Sequence, residues 1–171
     1  QPGVTVQPIK TIDGSVEINN VFLEDVKVPV ANRVGEENKG WTYAKYLLGH
    51  ERTSIAAVGR SKAQLKRLKT IASAEEQDGK PLIHDPTFKE KIADIEISLL
   101  ALESLVLRVL SDESAGKGPG PEASFLKIRG TEVQQGITEL LIEAIGNYAH
   151  PFVPESMETG WNEDPIGPEH A

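Results

Sequence analysis

Phe88-Lys89-Glu90-Lys91-Ile92-Ala93-Asp94-Ile95-Glu96-Ile97-Ser98-Leu99-Leu100-Ala101-Leu102-Glu103-Ser104-Leu105-Val106-Leu107-Arg108-Val109 is the stretch whose reading decides the fold. Phe88, Ile92, Ile95, Leu99, Leu102, Val106 and Val109 recur in alternating steps of four and three. Such spacing keeps one narrow apolar seam on a helix and turns it towards neighbouring helices. Outward from this helix the breaks are chemical. Asp78-Gly79-Lys80-Pro81 precedes it and Gly116-Lys117-Gly118-Pro119-Gly120-Pro121 follows it, and glycine and proline both oppose helix.

Before the first break, helical periodicity begins near Lys39 and predicts one long helix from about Gly40 to Ala74. Its apolar stripe is Ala44, Leu47, Leu48, Ile55, Val58 and Leu65. After the second break a third helix is predicted to about Tyr148, with Phe125, Ile128, Val133, Ile137, Leu140, Leu141 and Ala144 inward. Long helices joined by short breaks suit an up-down antiparallel bundle, so the fold is expected to be mainly α. Wide apolar faces on each helix point to a further helix or a partner subunit.

The first 35 residues read instead as β. Val4 to Ile9, Val16 to Ile18 and Val21 to Leu23 are strand-like. Asp13-Gly14 marks a turn, and Asn19-Asn20 separates the last two segments. Pro29 and Gly35 close the region. Two or three strands cannot make a stable sheet alone, so they are expected to be the end of a β domain. The expected organisation is 1–36 terminal strands, 37–150 helical bundle and 151–171 an irregular Pro-rich tail. The chain lacks an initial Met and a signal-like start, and reads as a piece of a longer protein.

A net charge of −8 argues against nucleic acid as a main partner, since phosphate backbones want a basic face. With no cysteine there is no disulfide, thiolate nucleophile or Cys-based zinc site. No apolar run reaches the roughly 20 residues of a membrane span. His50, His84, His150 and His170 show no metal-binding spacing, so no metal is expected. Glycine-rich phosphate loops and the Gly-x-Ser-x-Gly elbow are absent. Arg60, Lys62, Lys66, Arg67 and Lys69 spread around the helix and read as a solvated face, with phosphate contact the alternative. Trp41, at the strand-to-helix junction, reads as a packing residue.

Glu51 stands apart. At about 100° per residue it falls on the same side of the helix as Ala44, Leu48, Ile55 and Val58. A carboxylate on an apolar stripe is penalised when charged, which raises its pKa towards values useful to a general base. On position alone a glutamate at the stripe's edge, or one satisfied by a neighbouring helix, is the alternative.

Gly14 to Gly59 carries a family likeness. Glu17-Ile18, the run Val21 to Pro29, Asn32-Arg33-Val34-Gly35-Glu36, Gly40-Trp41, Glu51-Arg52 and Ala56-Ala57-Val58-Gly59 resemble the passage of acyl-CoA dehydrogenases where the β domain hands over to the carboxyl-terminal bundle. Gly79-Lys80 falls at that family's Phe-Gly-Lys break, and Ser124, Lys127 and Glu143 to Gly146 fit a later bundle helix. The resemblance implies an FAD-dependent enzyme that removes an α-proton and a β-hydride from an acyl-CoA thioester. It implies Glu51 as the base, because a minority of the family carry it immediately before this arginine. Gly49, His50 and Arg52 would then flank the substrate, and Glu143, Gly146 and Asn147 would lie at the contact to a neighbouring subunit's FAD. Implied partners are an acyl-CoA, an electron-transfer flavoprotein or similar acceptor, and a homo- or hetero-tetramer. The favoured location is the bacterial cytoplasm, with the mitochondrial matrix as alternative. This piece alone is expected to be inactive.

Departures from the family pattern are concentrated at cofactor positions. Gly49 stands where the family has an Asp, Glu75 where it has an Arg, and Asp85-Pro86 where it has His-Gln. Glu143-Ala144-Ile145-Gly146-Asn147 replaces Gln-x-x-Gly-Gly. Acids in place of donors would repel a pyrophosphate, which suggests a heteromer whose other subunit supplies the flavin contacts. A catalytically silent partner subunit and a same-fold flavin oxidase or monooxygenase are the other readings.

Overall fold

A computed structural model describes residues 1–117 and 120–153, the side chains of residues 49–53 and 123 excepted. The chain divides into two compact units, one containing Gln1–Gly40 and the other Trp41–His150.

In the first unit β1 (Val4–Ile9) pairs antiparallel with β2 (Ile18–Leu23), Val4 opposite Leu23 and Ile9 opposite Ile18. Asn19 and Asn20 lie within β2 rather than separating two strands, because their backbones continue the ladder opposite Pro8 and Gln7. The connection from Lys10 to Glu17 is longer than a tight two-residue turn and is held by backbone bonds, Thr11 N–H to the Ser15 carbonyl and Gly14 N–H to the Thr11 carbonyl, as well as by side chains. Thr11 and Ser15 hydrogen-bond the Asp13 carboxylate, and Gly14 takes φ 85°. The Thr11 hydroxyl, chiefly, holds the Asp13 carboxyl below its usual range. Val6, Val21 and Leu23 are exposed. A two-stranded ribbon of this kind does not stand alone in water.

The second unit is a bundle. Helices α1 (Gly40–Ile55), α2 (Val58–Ala74), α3 (Pro86–Ser114) and α4 (Glu122–Ile145) are its long elements. The single helix expected over 40–74 is thus two, broken at Ala56 and Ala57. Ala57 sits in the left-handed region at φ 47° and ψ 38°, where the backbone cannot continue a right-handed helix.

Ion pairs fix the helix directions. Lys62 pairs with Glu103 at 2.5 Å and Lys69 pairs with Glu96, so α2 and α3 are antiparallel. Lys91 reaches Glu143 at 2.7 Å, so α3 and α4 are antiparallel as well, and α2 runs parallel to α4. The seam of α3 is the core's spine: Phe88, Ile92, Leu99, Leu102 and Val109 are buried, and Ile95 and Val106 pack against them. From α2 come Leu65, Leu68, Ile71 and Ala72. In α4 the buried face is Leu126, Val133, Ile137, Leu140 and Ala144. Phe125 and Ile128, expected inward, are 52% and 55% exposed; Leu126 takes the inward place with no exposure. The reason is phase: stepping back from Val133 by three and four reaches Gly130 and Leu126, not Ile128.

Between α2 and α3 the chain makes a short hairpin, Glu76–Gln77 (β3) against Lys80–Pro81 (β4), turned by Asp78 and Gly79 at φ 53° and 74°. Asp-Gly with both residues at positive φ is the favoured chemistry of a tight hairpin turn. Asp85 then caps α3, its carboxylate accepting the Phe88 N–H at 2.8 Å, and Pro86 opens the helix. A 3-10 turn, Gly146–Ala149, follows α4, so the regular third helix stops at Ile145 rather than Tyr148. Residues 151–153 have no regular structure; the tail expected to be irregular from 154 lies outside the described residues.

Candidate functional site

Candidate residues fall into two groups. Gly49, His50, Glu51 and Arg52 belong to α1 by backbone, but their side chains lie outside the described residues. What surrounds them on α1 is described. Leu47 and Leu48 are 58% and 47% exposed, and Ile55 is exposed too. The stripe on which Glu51 was placed is therefore open around it, and burial begins only at Ala56, just past the end of α1. Val58, expected on the same stripe, belongs to α2 and packs on the core. Any desolvation of Glu51 has to come from elsewhere than α1's own apolar residues.

Packing fixes the break that ends α1. Ala56 is buried, and Gly130 of α4 approaches it so closely that a Cβ there would stand 2.8 Å from the Ala56 Cα and 2.9 Å from its carbonyl oxygen. A glycine is what permits this approach. α4 thereby sets where the chain leaves the bundle to form the Glu51 helix.

The second group gathers at the other end of the bundle. The end of α2, the start of α3 and the end of α4 meet there, so Glu75, Asp85 and Glu143 to Asn147 share one end. From Ala57 to Glu75 is roughly 27 Å at 1.5 Å per helical residue. Catalytic and cofactor candidates are therefore held apart by this chain, not brought together.

The chemistry of the second group is structural in detail. Asp85 is occupied as the α3 cap. Glu143 holds the Lys91 ammonium through both carboxylate oxygens, at 2.7 and 2.8 Å. Its charge is thus offset within the chain, and the repulsion expected of an acid at this position is weakened. Gly146 caps α4 at φ 57°, and the Asn147 carbonyl accepts the His150 N–H. Glu75 closes α2, its carbonyl accepting the Leu82 N–H. Glu75, Asp85 and Glu143 are acceptors, and of this group only the Asn147 amide offers a side-chain donor, so this end brings no cation of its own to the pyrophosphate of a flavin. Among the described residues no group of three or more His, Asp or Glu could hold a metal ion, and no helix is long and apolar enough to cross a membrane.

Residues 38–162 match the family model for the acyl-CoA dehydrogenase carboxyl-terminal domain. The chain belongs to the acyl-CoA dehydrogenase family. Two relatives from Mycobacterium tuberculosis bear this out. Acyl-CoA dehydrogenase FadE29 is 32% identical over 159 residues, 92% of this chain and 40% of its own length. Acyl-CoA dehydrogenase FadE26 is 30% identical over 151 residues, 86% of this chain and 38% of its own. Among solved structures, the ChsE4-ChsE5 complex from the same organism superposes with a TM-score of 0.73 at 30% identity, over 87% of this chain and 39% of that one. The chain thus spans about 40% of the length of these two relatives. A mainly α bundle is what the helix seam implied and the family is what the resemblance over Gly14 to Gly59 implied; the fold expectation holds in class though not in helix count.

Proposed function

We propose that the protein containing this chain is an FAD-dependent acyl-CoA dehydrogenase in which Glu51 removes the α-proton of an acyl-CoA thioester. The observation that carries this is the position of Glu51-Arg52, one turn before the helix break, inside the matched family domain. Thioester α-protons are weakly acidic, so the base must be poised by a dry environment. α1 does not dry its own surface, as the exposure of Leu47 and Leu48 testifies. The acyl chain, and protein outside this chain, would do so by covering that face. Gly49, His50 and Arg52, on either side of Glu51 in the sequence, would meet the acyl-CoA with it. FAD, when bound, accepts the β-hydride, and an electron-transfer flavoprotein or similar acceptor reoxidises it.

The test uses the intact FAD-loaded protein under anaerobic conditions with a panel of acyl-CoAs. Wild type should bleach its flavin with at least one of them. Glu51→Gln should slow that bleaching by about a hundredfold or more, the usual worth of a positioned base. Bleaching of the variant at the wild-type rate sinks the assignment. Failure of every acyl-CoA to bleach wild type would favour a silent subunit or a different flavin reaction.

A second reading concerns assembly. The family's flavin-contacting positions hold Glu75, Asp85 and Glu143 here, none of them a free donor, and a relative of 30% identity is solved as a complex of two different chains. Both favour a heteromer in which this chain provides the base and its partner provides the flavin contacts across the interface.

A further inference from the structure

The cations of α2 separate into two rows. Lys62 and Lys69 are spent on Glu103 and Glu96 of α3. Arg60 and Arg67 lie on the α4 side instead, one on each side of Gln64, and line a cavity of about 270 Å3 with Gln134, Ile137, Thr138 and Leu141. Neither guanidinium has a hydrogen bond or ion pair among the described residues. No acid lines the cavity, although the chain carries 26 acidic residues to 18 basic ones. A chain with surplus acid that leaves these two arginines together and unpaired is not short of partners for them.

The donors facing the cavity are few and cationic. Gln134 Nε2 donates to the Gly130 carbonyl and Thr138 Oγ1 donates to the Gln135 carbonyl, so both side chains mainly offer oxygen. Arg60 and Arg67 keep all their N–H groups, and the Gln64 amide adds to them. Two guanidinia offer two charges and two planar forks, more than one carboxylate with two oxygens can satisfy. Seven residues of helix separate their Cα atoms by about 10.5 Å, a span closed from both sides by long side chains around an extended dianion. Ile137 and Leu141 give the cavity an apolar flank.

We propose that this groove between α2 and α4 binds the phosphate portion of an organic diphosphate, held by Arg60 and Arg67 with Gln64 between them. The site is distinct from the Glu51 helix and does not depend on the reading given for it.

Calorimetric titration of inorganic pyrophosphate into the intact protein, flavin loaded as isolated, tests this. The arms are wild type, Arg60→Gln/Arg67→Gln, and Lys66→Gln, all at one ionic strength. Lys66 is exposed and points about 100° round the helix from Arg67, so it reports general charge. Wild type should bind pyrophosphate saturably. The double variant should bind about a hundredfold or more weakly, since two charge-assisted contacts are lost together, and Lys66→Gln should match wild type. The far-ultraviolet spectrum of the double variant should be unchanged, because neither arginine is in the core. Three results overturn the proposal: no saturable binding to wild type, equal weakening by Lys66→Gln, or binding of succinate as tight as pyrophosphate.

Discussion

At the scale of single residues, Gly130 and Gly136 make a controlled pair on one helix. A Cβ on Gly130 would meet Ala56 backbone atoms at 2.8 and 2.9 Å, which can yield only if two helices separate. A Cβ on Gly136 would meet the Ile95 Cδ1 at 2.6 Å, the far end of a side chain that can turn away. Gly130→Ala should therefore destabilise by about 1–3 kcal/mol, outweighing the ~1 kcal/mol that alanine gains over glycine in a helix. Gly136→Ala should lie within about 1 kcal/mol of wild type, with the propensity gain offsetting the adjustment of Ile95. Chemical denaturation midpoints would compare them. Equal loss for both would mean that the close approach at Ala56 is not rigid. Neither contact could be read from sequence, because a glycine in a helical pattern signals only lowered propensity until its neighbour across the interface is known.

At the scale of elements, what was legible depended on whether the signal was local. The α3 seam was legible throughout, since a period of four and three over 22 residues, Phe88 to Val109, needs no tertiary knowledge. The break at Ala56-Ala57 was invisible: Ala-Ala-Val-Gly is acceptable helix, and only the crossing of α4 forces Ala57 to positive φ. The hairpin at Asp78-Gly79 was legible in principle, as the same dipeptide was read as a turn at Asp13-Gly14, but its flanks are two residues long and not β-branched. Asp85 is similar. Asp-Pro directly before the α3 seam is the local signal of a helix cap, whatever family position it occupies. Asp85→Ala should cost about 1 kcal/mol of stability, while Asp94→Ala, exposed within the same helix, should cost less than ~0.5. Thermal unfolding of the two variants checks this, and equal shifts would remove the cap from the account.

At the scale of the whole molecule, the bundle holds its two groups of candidate residues at opposite ends. The position of Glu51 in the family pattern was legible in sequence; its environment was not, because the residues that would cover α1 are not its own neighbours in the chain. If the assembly is a heteromer as proposed, purified enzyme should contain FAD equal to about half of all its chains, given that flavin retention depends on contacts only one kind of chain supplies. Absorbance and amino-acid analysis on one sample would give the ratio. A homo-oligomer with one FAD for every chain would end the heteromer reading and leave the Glu51 assignment standing.

The ion pairs of α3 bear on which of two bundles the chain builds. A three-helix arrangement can turn to the left or the right with nearly the same apolar burial, because swapping α2 and α4 around α3 leaves the α3 seam covered. α3 carries Glu96 and Glu103 on one side of that seam and Lys91 on the other. In the mirror arrangement Lys62 and Lys69 would face Lys91, and Glu143 would face Glu96 and Glu103. Each exposed pair is worth only about 0–1 kcal/mol to stability. Against the reversed handedness the same charges count twice, as attraction lost and repulsion gained. Three modest contacts on one helix thus select the hand of the fold.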